Sequence, residues 1–292
     1  MKVREMLASP LLAGLAVRQR LSPSPAGAFR ILLFHDIPEV HQQTFADLIE
    51  RIVKNNGFIT PAEAAARIEG SSRSNDRHVP CLVSFDDGFA SNRWAAERVL
   101  ARFGVKALFF VCPGLIDLPP RERPAEVARG IFRARIAENA PAAQRPLMSW
   151  DDIGELAAAG HEIGAHSQTH RCLAALDPAA LEHEVTGACE RLTTVLGRHP
   201  AWFAWPFGDV DSIDEAGLAT IARRVRFCRS GVRGLNRSGQ HRLAIFAEHV
   251  DLSASALWQE LAVRGGLDTR YREARRRILQ LAEAADQVQA LP

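Results

Sequence analysis

The sequence contains few cysteines, and no two of them are closely spaced. The five are Cys81, Cys112, Cys172, Cys189 and Cys228, an odd number scattered along the chain with no Cys-x-x-Cys pair. This spacing argues against a disulfide framework and against a thiolate zinc site. Reduced, mostly buried thiols are therefore expected, which favours a cytoplasmic protein.

The sequence also lacks a long apolar run, since no stretch approaches the roughly 20 residues that a membrane-spanning helix needs. At the N-terminus, Met1–Arg4 is basic and Met6–Val17 is a short apolar stretch. Two interpretations follow: a signal peptide, which would indicate a secreted or periplasmic protein, or a short helix or frayed terminus. Glu5, Pro10 and the absence of a clean cleavage site favour the second interpretation.

Neither sign of charge is in excess, because the formal net charge is only +2. The stretch 270–277 concentrates arginine, but acidic and apolar residues interleave there, which is typical of a solvated helix face. The charge alone argues neither for nor against a nucleic-acid partner; we expect none, and the oligomeric state is left open. Apolar residues make up 47% and charged residues 24% of 292 residues. That balance is typical of a globular protein with one large α/β domain or two small ones.

Apolar strands and amphipathic helices alternate six or seven times along the chain. Stretches such as Ile31–Phe34 and Cys81–Phe85 are near-continuous apolar runs, as expected of buried parallel strands. The alternation predicts an α/β fold, a distorted (β/α) barrel of about seven parallel strands. The predicted divisions are an N-terminal segment and linker at 1–29, a barrel domain at 30–268 with its core at 78–250, and a C-terminal helix at 269–292.

Residues with metal-binding or acid–base chemistry follow the predicted strands. His35 follows the first strand, Asp86 and Asp87 the second, His166 the fourth and Pro206 the fifth. Because loops at the carboxyl ends of barrel strands converge on one mouth, these residues are expected to meet there. Residues 113–148 are rich in proline and arginine and are interpreted as an excursion that covers this mouth.

The two histidines and the acidic pair indicate a metal site only when they are considered together. Imidazole and carboxylate groups are ligands that Zn²⁺, Co²⁺ or a similar ion accepts with positions left open for water. Taken alone, the spacing of His166 and His170 is compatible with a surface coincidence, and Asp86-Asp87 with the cap of a helix or turn. Together they can bind one divalent ion while one carboxylate stays free as a base, as hydrolysis of an amide requires. Gly88 permits the tight turn.

Three motifs in this order resemble those of a known family. They are Ser84-Phe85-Asp86-Asp87-Gly88, His166-Ser167-Gln168-Thr169-His170 and Trp205-Pro206-Phe207-Gly208. All three are similar to motifs of the polysaccharide deacetylases of the NodB-homology group, carbohydrate esterase family 4. The resemblance covers residues 78–250 and implies a NodB-like barrel. It also implies a metal-dependent hydrolase that removes N-acetyl groups from an amino-sugar unit of a polysaccharide or glycan precursor.

The resemblance implies a role for each polar residue of the first two motifs. Asp86 would be the general base. Asp87, His166 and His170 would bind one divalent metal ion, with zinc expected first and cobalt or another divalent ion acceptable. The implied partner is an acetylated amino-sugar substrate.

The third motif, Trp205-Pro206-Phe207-Gly208, would supply the substrate contacts. The resemblance implies that Phe207 donates its backbone N–H to the oxyanion and that Trp205 and Phe207 form part of the sugar-binding wall. The family's arginine two residues before the motif proline, which pairs with the base, is Ala204 here. Arg242 is the candidate substitute, and an ordinary surface arginine is the alternative interpretation.

The family's general acid is a histidine near the end of the domain, in a Leu-x-His context. His249 follows Phe246-Ala247-Glu248, which matches poorly. His35 resembles the histidine of deacetylases in which this motif has moved to the front of the domain. We therefore predict His35 as the general acid, with Asp36 orienting it and His249 as the alternative. His161 is predicted to be structural.

Two other functions stay open at this point. The same fold and metal would serve a deformylase or another C–N hydrolase that acts on a lipid-linked or nucleotide sugar. The missing motif arginine is also compatible with an inactive homologue that only binds carbohydrate.

Overall fold

A computed structural model describes residues 3–21, 24–71 and 78–289. Seven parallel strands form one sheet that curls into a half-barrel, in the order β6-β5-β4-β3-β2-β1-β7. The strands are β1 (Arg30–Phe34), β2 (Cys81–Phe85), β3 (Ala107–Val111), β4 (Glu162–Ala165), β5 (Trp202–Ala204), β6 (Phe227–Arg229) and β7 (Glu248–His249). The predicted distorted barrel of parallel strands is thus confirmed.

Most helices cover the outer face of the sheet and lie between consecutive strands, whereas α3 (Pro61–Ile68) packs its Ala64 and Ile68 against the inner face. The helices are α1 (Val3–Leu21), α2 (Glu39–Asn55), α3 (Pro61–Ile68), α4 (Ala90–Arg98), α5 (Pro113–Asp117), α6 (Arg123–Arg129), α7 (Trp150–Ala158), α8 (Pro178–Glu182), α9 (Ala188–Leu196), α10 (Glu215–Ala222), α11 (Ala256–Val263) and α12 (Arg272–Gln289). A π-helical segment, His183–Gly187, joins α8 to α9. Helix α3 begins with a capping box formed by Thr60 and Glu63.

The strands are buried on both faces, as their unbroken apolar runs predict. One face packs against the helices and the other faces the interior of the half-barrel. Side chains of a strand alternate between these faces, so Leu32 and Phe34 join the first cluster, whereas Ile31 and Leu33 join the second. Residues 243–247 run beside β6, where Ile245 forms a bridge with Arg229 and donates its N–H to the Cys228 carbonyl at 3.2 Å.

The terminal helices pack on the barrel's own helices, α1 on α11 and α12 on α10. The divisions at residues 29 and 268 remain predictions. Residues 1–2 and 22–23 of the proposed N-terminal segment, and 72–77 of the loop after α3, lie outside the described residues. None of the helices in the described ranges combines the length and the apolar character that crossing a membrane requires.

His161, directly before β4, is a buried histidine with a structural contact. Its Nδ1 accepts a hydrogen bond of 3.1 Å from the Ala107 N–H, and its ring packs edge-on against Phe109. Burial, helped by the charge of Lys106, lowers its pKa to about 4. The imidazole of His161 is therefore neutral in the folded protein at neutral pH.

This burial predicts an acid-sensitive contribution to stability. The unfolded chain takes up a proton at His161 near pH 6.5 and the folded chain only near pH 4. Folding stability at this site therefore falls as the pH drops through that window, by up to about 3 kcal/mol. We expect His161→Leu to flatten this decline and, by leaving the Ala107 N–H unpaired, to cost about 1–3 kcal/mol at pH 7.5.

Urea unfolding at pH 7.5 and pH 4.5 would measure both effects. His78→Leu is the matched control, because His78 is exposed. An equal pH dependence in wild type and His161→Leu would contradict the prediction.

Candidate active site

A cavity of about 200 Å³ opens at the carboxyl ends of the strands. It is lined by Leu33, His35, Asp86, Asp87, Ile131, His166, His170, Phe207, Gly208, Arg229, Gly231 and His249. These residues lie at the carboxyl ends of β1, β2, β4, β5, β6 and β7, or just beyond them, or belong to the 113–148 excursion. Strand ends thus bring together most of the residues that the sequence singled out.

Asp87, His166 and His170 form a compact, buried group. Asp87 Oδ1 lies 3.2 Å from His170 Nε2 and 3.5 Å from His166 Nε2. The potential ligand atoms of the three all lie within 4.8 Å of one another. His166 Nδ1 lies 2.7 Å from the Ala204 carbonyl oxygen, which directs Nε2 into the group. This arrangement of one carboxylate and two imidazoles suits a divalent cation.

The electrostatics of the group also fit a cation. Burial alone would raise the pKa of Asp87, but the contacts from His166 and His170 outweigh it and hold this pKa well below its usual range. Burial alone would lower the pKa of His166, but the charges of Asp86 and Asp87 raise it by more, so the net shift is upward. Asp87 Oδ1 is buried and accepts no hydrogen bond of normal geometry. The group therefore attracts positive charge and has a carboxylate oxygen available to bind it.

The backbone around the site is strained. Four non-glycine residues here have left-handed φ angles: Asp87 (73°), Ser167 (60°), His170 (61°) and Phe207 (66°). In the described ranges, the only other non-glycine residues with positive φ are Arg133 and Ala134, in the excursion. Such conformations cost on the order of 1–3 kcal/mol each and persist only where the surroundings fix them. The strain coincides with the residues that the motifs single out.

Asp86 stands beside the group, paired with an arginine. Its Oδ2 lies 3.8 Å from His166 Nε2, and both of its oxygens accept from Arg229 Nη2, at 2.5 and 2.6 Å. Arg229 is 1% exposed and lies over the ring of Phe110. The ion pair fixes the carboxylate and offsets its charge.

Arg242 does not pair with the predicted base, Asp86, contrary to our prediction. It pairs with Asp286 at 2.8 Å, away from Asp86. The physical reason lies in the sheet: Arg229 ends β6 directly opposite Ala204 of β5, so its side chain emerges on the same face as residue 204. The sequence does contain a signal for Arg229, because it ends an extended segment. Residues at the carboxyl ends of parallel strands are expected to meet at the mouth of the barrel.

His35 and His249 both reach the cavity from adjacent strands. Their ring centroids are 5.6 Å apart, since Leu33 of β1 pairs with His249 of β7. One side of His249 faces solvent, but burial of the rest of its ring and the charge of His35 lower its pKa to about 4. Asn92 donates to the His35 carbonyl at 2.8 Å and fixes this turn.

Asp36 does not orient His35, contrary to our prediction. It accepts from Ser91 Oγ at 2.7 Å and forms an ion pair with Arg145 of the excursion. The chain turns immediately after β1, so the two neighbouring side chains serve different contacts.

Phe207 and Gly208 close one wall of the cavity. The Phe207 ring packs edge-on against His170, with centroids 4.7 Å apart. A Cβ at position 208 would lie 2.5 Å from Gly231 N, and φ at Gly208 is 68°. The Gly231 N–H donates to the Gly208 carbonyl at 2.8 Å. Only glycine allows this close contact between the loops after β5 and β6.

Comparison with known proteins identifies the family. A sequence model of the family described as "Polysaccharide deacetylase" matches residues 74–220, half of the chain. The chain belongs to the polysaccharide deacetylase family. Members of this family are hydrolases of carbon–nitrogen bonds other than peptide bonds, so the predicted enzyme class is confirmed. Among curated proteins, no sequence matches the chain significantly.

Solved structures share the fold of this deacetylase. IcaB from Ammonifex degensii is 20% identical, with 82% of this chain and 98% of that chain covered and a TM-score of 0.62. Deacetylase PplD from Streptococcus pyogenes, in complex with acetate, is 15% identical, with 82% and 99% covered and a TM-score of 0.62. The BpsB deacetylase domain from Bordetella bronchiseptica is 20% identical, with 78% and 98% covered and a TM-score of 0.61.

Two residues of the third deacetylase motif lie away from the cavity. Trp205 is 1% exposed and packs in the core between the sheet and the helices, with its Nε1 donating to the Asp209 carbonyl. Pro206 is buried next to it. The prediction that Trp205 forms a sugar-binding wall is therefore wrong, because the chain at 205 still alternates as a strand and directs the indole outward.

The 113–148 excursion contributes to this deacetylase's cavity from two sides. Ile131 lines the cavity, and the Arg133 guanidinium lies 3.5 Å from the centroid of the Phe207 ring. On the other side, Arg145 pairs with Asp36, next to His35. The sequence indicated the excursion but not these residues.

Proposed function

We propose that this protein is a metal-dependent de-N-acetylase that acts on an N-acetylated amino-sugar unit of a polysaccharide or glycan precursor. The observation that carries the proposal is the juxtaposition of two carboxylates with different partners. Asp87 contacts two imidazoles, and Asp86 contacts Arg229. One carboxylate can therefore bind a cation while its neighbour accepts a proton.

Asp87, His166 and His170 would hold the ion, and zinc suits this ligand set, as do cobalt and related ions. A divalent ion in this position supplies Lewis-acid polarisation of the amide carbonyl and makes water more acidic. The burial of all three ligands and the hydrogen-bonded Nδ1 of His166 keep the ligand geometry fixed.

Asp86 would act as the general base. Its carboxylate is held next to the metal-binding group by Arg229, so it is positioned to take a proton from the attacking water. Positioned proton transfer of this kind contributes about 10²–10⁴-fold to the rate. With Arg229 in the place of the missing motif arginine, the reason for considering an inactive homologue is removed.

Phe207 would stabilise the oxyanion of the tetrahedral intermediate. It lines the cavity, and its backbone N–H donates no hydrogen bond within the described ranges. Its left-handed conformation is fixed by the contacts of its ring with His170 and Arg133. One such donor typically contributes about 3–4 kcal/mol to transition-state stabilisation.

His35 would protonate the leaving amine. The lowered pKa of His249 makes it a poorer proton donor at neutral pH than an ordinary imidazole. We expect His35→Ala to lower kcat by about 10²–10⁴-fold. His249→Ala should raise KM several-fold, through loss of about one neutral hydrogen bond to the substrate, with kcat nearly unchanged.

Steady-state acetate release at pH 7.5 would separate the two variants. If His249→Ala alone eliminates kcat, the assignment of the acid to His35 is wrong. Melting curves of both variants control for folding.

The function itself is tested by the acid released. Zinc-loaded protein would be incubated with N-acetylated and N-formylated glucosamine oligosaccharides, and acetate and formate would be measured enzymatically. We expect acetate from the first and little formate from the second. Formate release alone would favour the deformylase, and release of neither acid from any acetylated saccharide would count against hydrolysis.

A further inference from the structure

A buried carboxylate outside the cavity restrains the loop that carries both histidines. The histidine loop comprises residues 166–170. The Thr169 N–H donates to Glu184 Oε2 at 2.8 Å, and Thr169 Oγ1 donates to Glu184 Oε1 at 2.5 Å. Glu184 is 1% exposed, and among the described residues its side-chain oxygens contact the Thr169 N–H and hydroxyl rather than a Lys, Arg or His.

This arrangement places a polar side chain where the fold alone would favour an apolar one. Burying a polar group costs stability unless it is hydrogen-bonded, and both oxygens of Glu184 accept from Thr169. The histidine loop contains two strained residues, Ser167 and His170, whose left-handed conformations need external restraint. Within the loop, the His170 N–H donates to Ser167 Oγ at 3.0 Å. Glu184 adds a restraint from outside, on the residue directly before His170.

The helix that carries Glu184 is itself irregular at this point. Glu184 lies in the π-helical segment His183–Gly187. A π-helical turn accommodates one more residue than an α-helical turn, so it rotates the helix faces on its two sides by about 100° relative to each other. Leu181 before the turn and Leu192 after it both lie in the core, while Glu184 within it contacts Thr169.

The opposite side of the histidine loop is restrained by backbone. The Gly114 N–H donates to the Gln168 carbonyl at 2.8 Å, and a Cβ at position 114 would lie 2.7 Å from that oxygen. The loop is therefore fixed between α5 and the π-helical segment, with one contact on residue 168 and two on residue 169.

We propose that Glu184 is a positioning residue for the metal site, which sets the conformation of the histidine loop and thereby the affinity for the ion. This inference rests on the proposed metal-dependent function. Residues that orient ligands typically contribute about 10–100-fold to metal affinity. Glu184 acts through Thr169 and touches neither substrate nor ion.

Cobalt binding to the purified full chain tests the proposal. Co²⁺ would be titrated into apoprotein, and the visible absorption band and the affinity, measured by competition with a chelator, would be recorded. We expect Glu184→Ala to weaken binding about 10–100-fold and to change the band. Glu184→Gln should stay near wild type, because its amide can accept from the Thr169 N–H and donate to Oγ1.

Glu190→Ala is the matched control, since Glu190 is exposed on the adjoining helix α9. If Glu184→Ala does not fold, Thr169→Val removes only the hydroxyl contact and should weaken Co²⁺ binding about 2- to 10-fold. Wild-type affinity and spectrum in Glu184→Ala, or in Thr169→Val where that variant is used, would overturn the inference. Failure of wild-type protein to bind Co²⁺ would instead contradict the proposed function.

Discussion

Replacement of Asp87 by asparagine is expected to abolish acetate release and to weaken the binding of Zn²⁺ and Co²⁺ strongly. Asparagine keeps the shape of the side chain but removes the negative charge that lies 3.2 Å from His170 and 3.5 Å from His166. Lewis-acid polarisation contributes several kcal/mol to a hydrolytic transition state, so kcat/KM should fall about 10³-fold or more.

Asp86→Asn is the matched control for this prediction. The two carboxylates are adjacent in sequence and both are buried, but Asp86 pairs with Arg229 rather than with the two imidazoles. We expect Asp86→Asn to retain Co²⁺ affinity within a few-fold and to lose about 10²–10⁴-fold in kcat, because only the base is removed.

Metal titrations and acetate release on both variants would separate the two roles. Undiminished metal affinity in Asp87→Asn would contradict the ligand assignment. Loss of metal binding in Asp86→Asn would show that this carboxylate is a ligand and that the base lies elsewhere.

The convergence of the site could be predicted because it depends on local patterns and one general rule. Apolar runs located the strands, and the carboxyl ends of parallel strands share one edge of a sheet. That rule placed His35, Asp87 and His166 together although they come from distant parts of the chain. The glycine at position 88 likewise marked a turn with left-handed backbone.

Arg229 and Trp205 were missed for a different reason, since their contacts depend on register and on the exact end of a strand. The sequence does not show that Arg229 lies opposite Ala204, and this pairing is what carries the guanidinium to Asp86. The direction of the Trp205 side chain depends on whether the strand ends before or after residue 205. A difference of one residue would direct the indole into the cavity rather than into the core.

Glu184 was missed because it lies where helical periodicity is broken. The pattern from Pro178 to Leu196 predicts one continuous helix, and a π-helical turn within it changes the direction of side chains without changing the composition. Its contact with Thr169 links two segments that no sequence pattern pairs.

Removal of Arg229 is expected to have the second large effect. Arg229→Ala leaves Asp86 buried without its partner, and loss of one member of a buried ion pair costs about 3–5 kcal/mol. We expect a comparable drop in the free energy of unfolding and a loss of acetate release of about 10²-fold or more, since the base is no longer oriented. Arg229→Lys, which keeps the charge but not the planar guanidinium, should fall between this variant and wild type.

The register of the sheet offers a stricter test of the same ion pair. Ala204 and Arg229 are paired residues of β5 and β6, and strands lie about 4.8 Å apart, so an arginine at 204 could reach Asp86 from the same face. The double variant Ala204→Arg/Arg229→Ala should therefore recover part of the activity and stability lost in Arg229→Ala. Ala204→Arg alone should be destabilised, because position 204 is fully buried and would place two guanidinium groups beside one carboxylate. Recovery of stability without activity in the double variant would show that Arg229 does more than orient Asp86, and full activity in Arg229→Ala would show that the base needs no arginine.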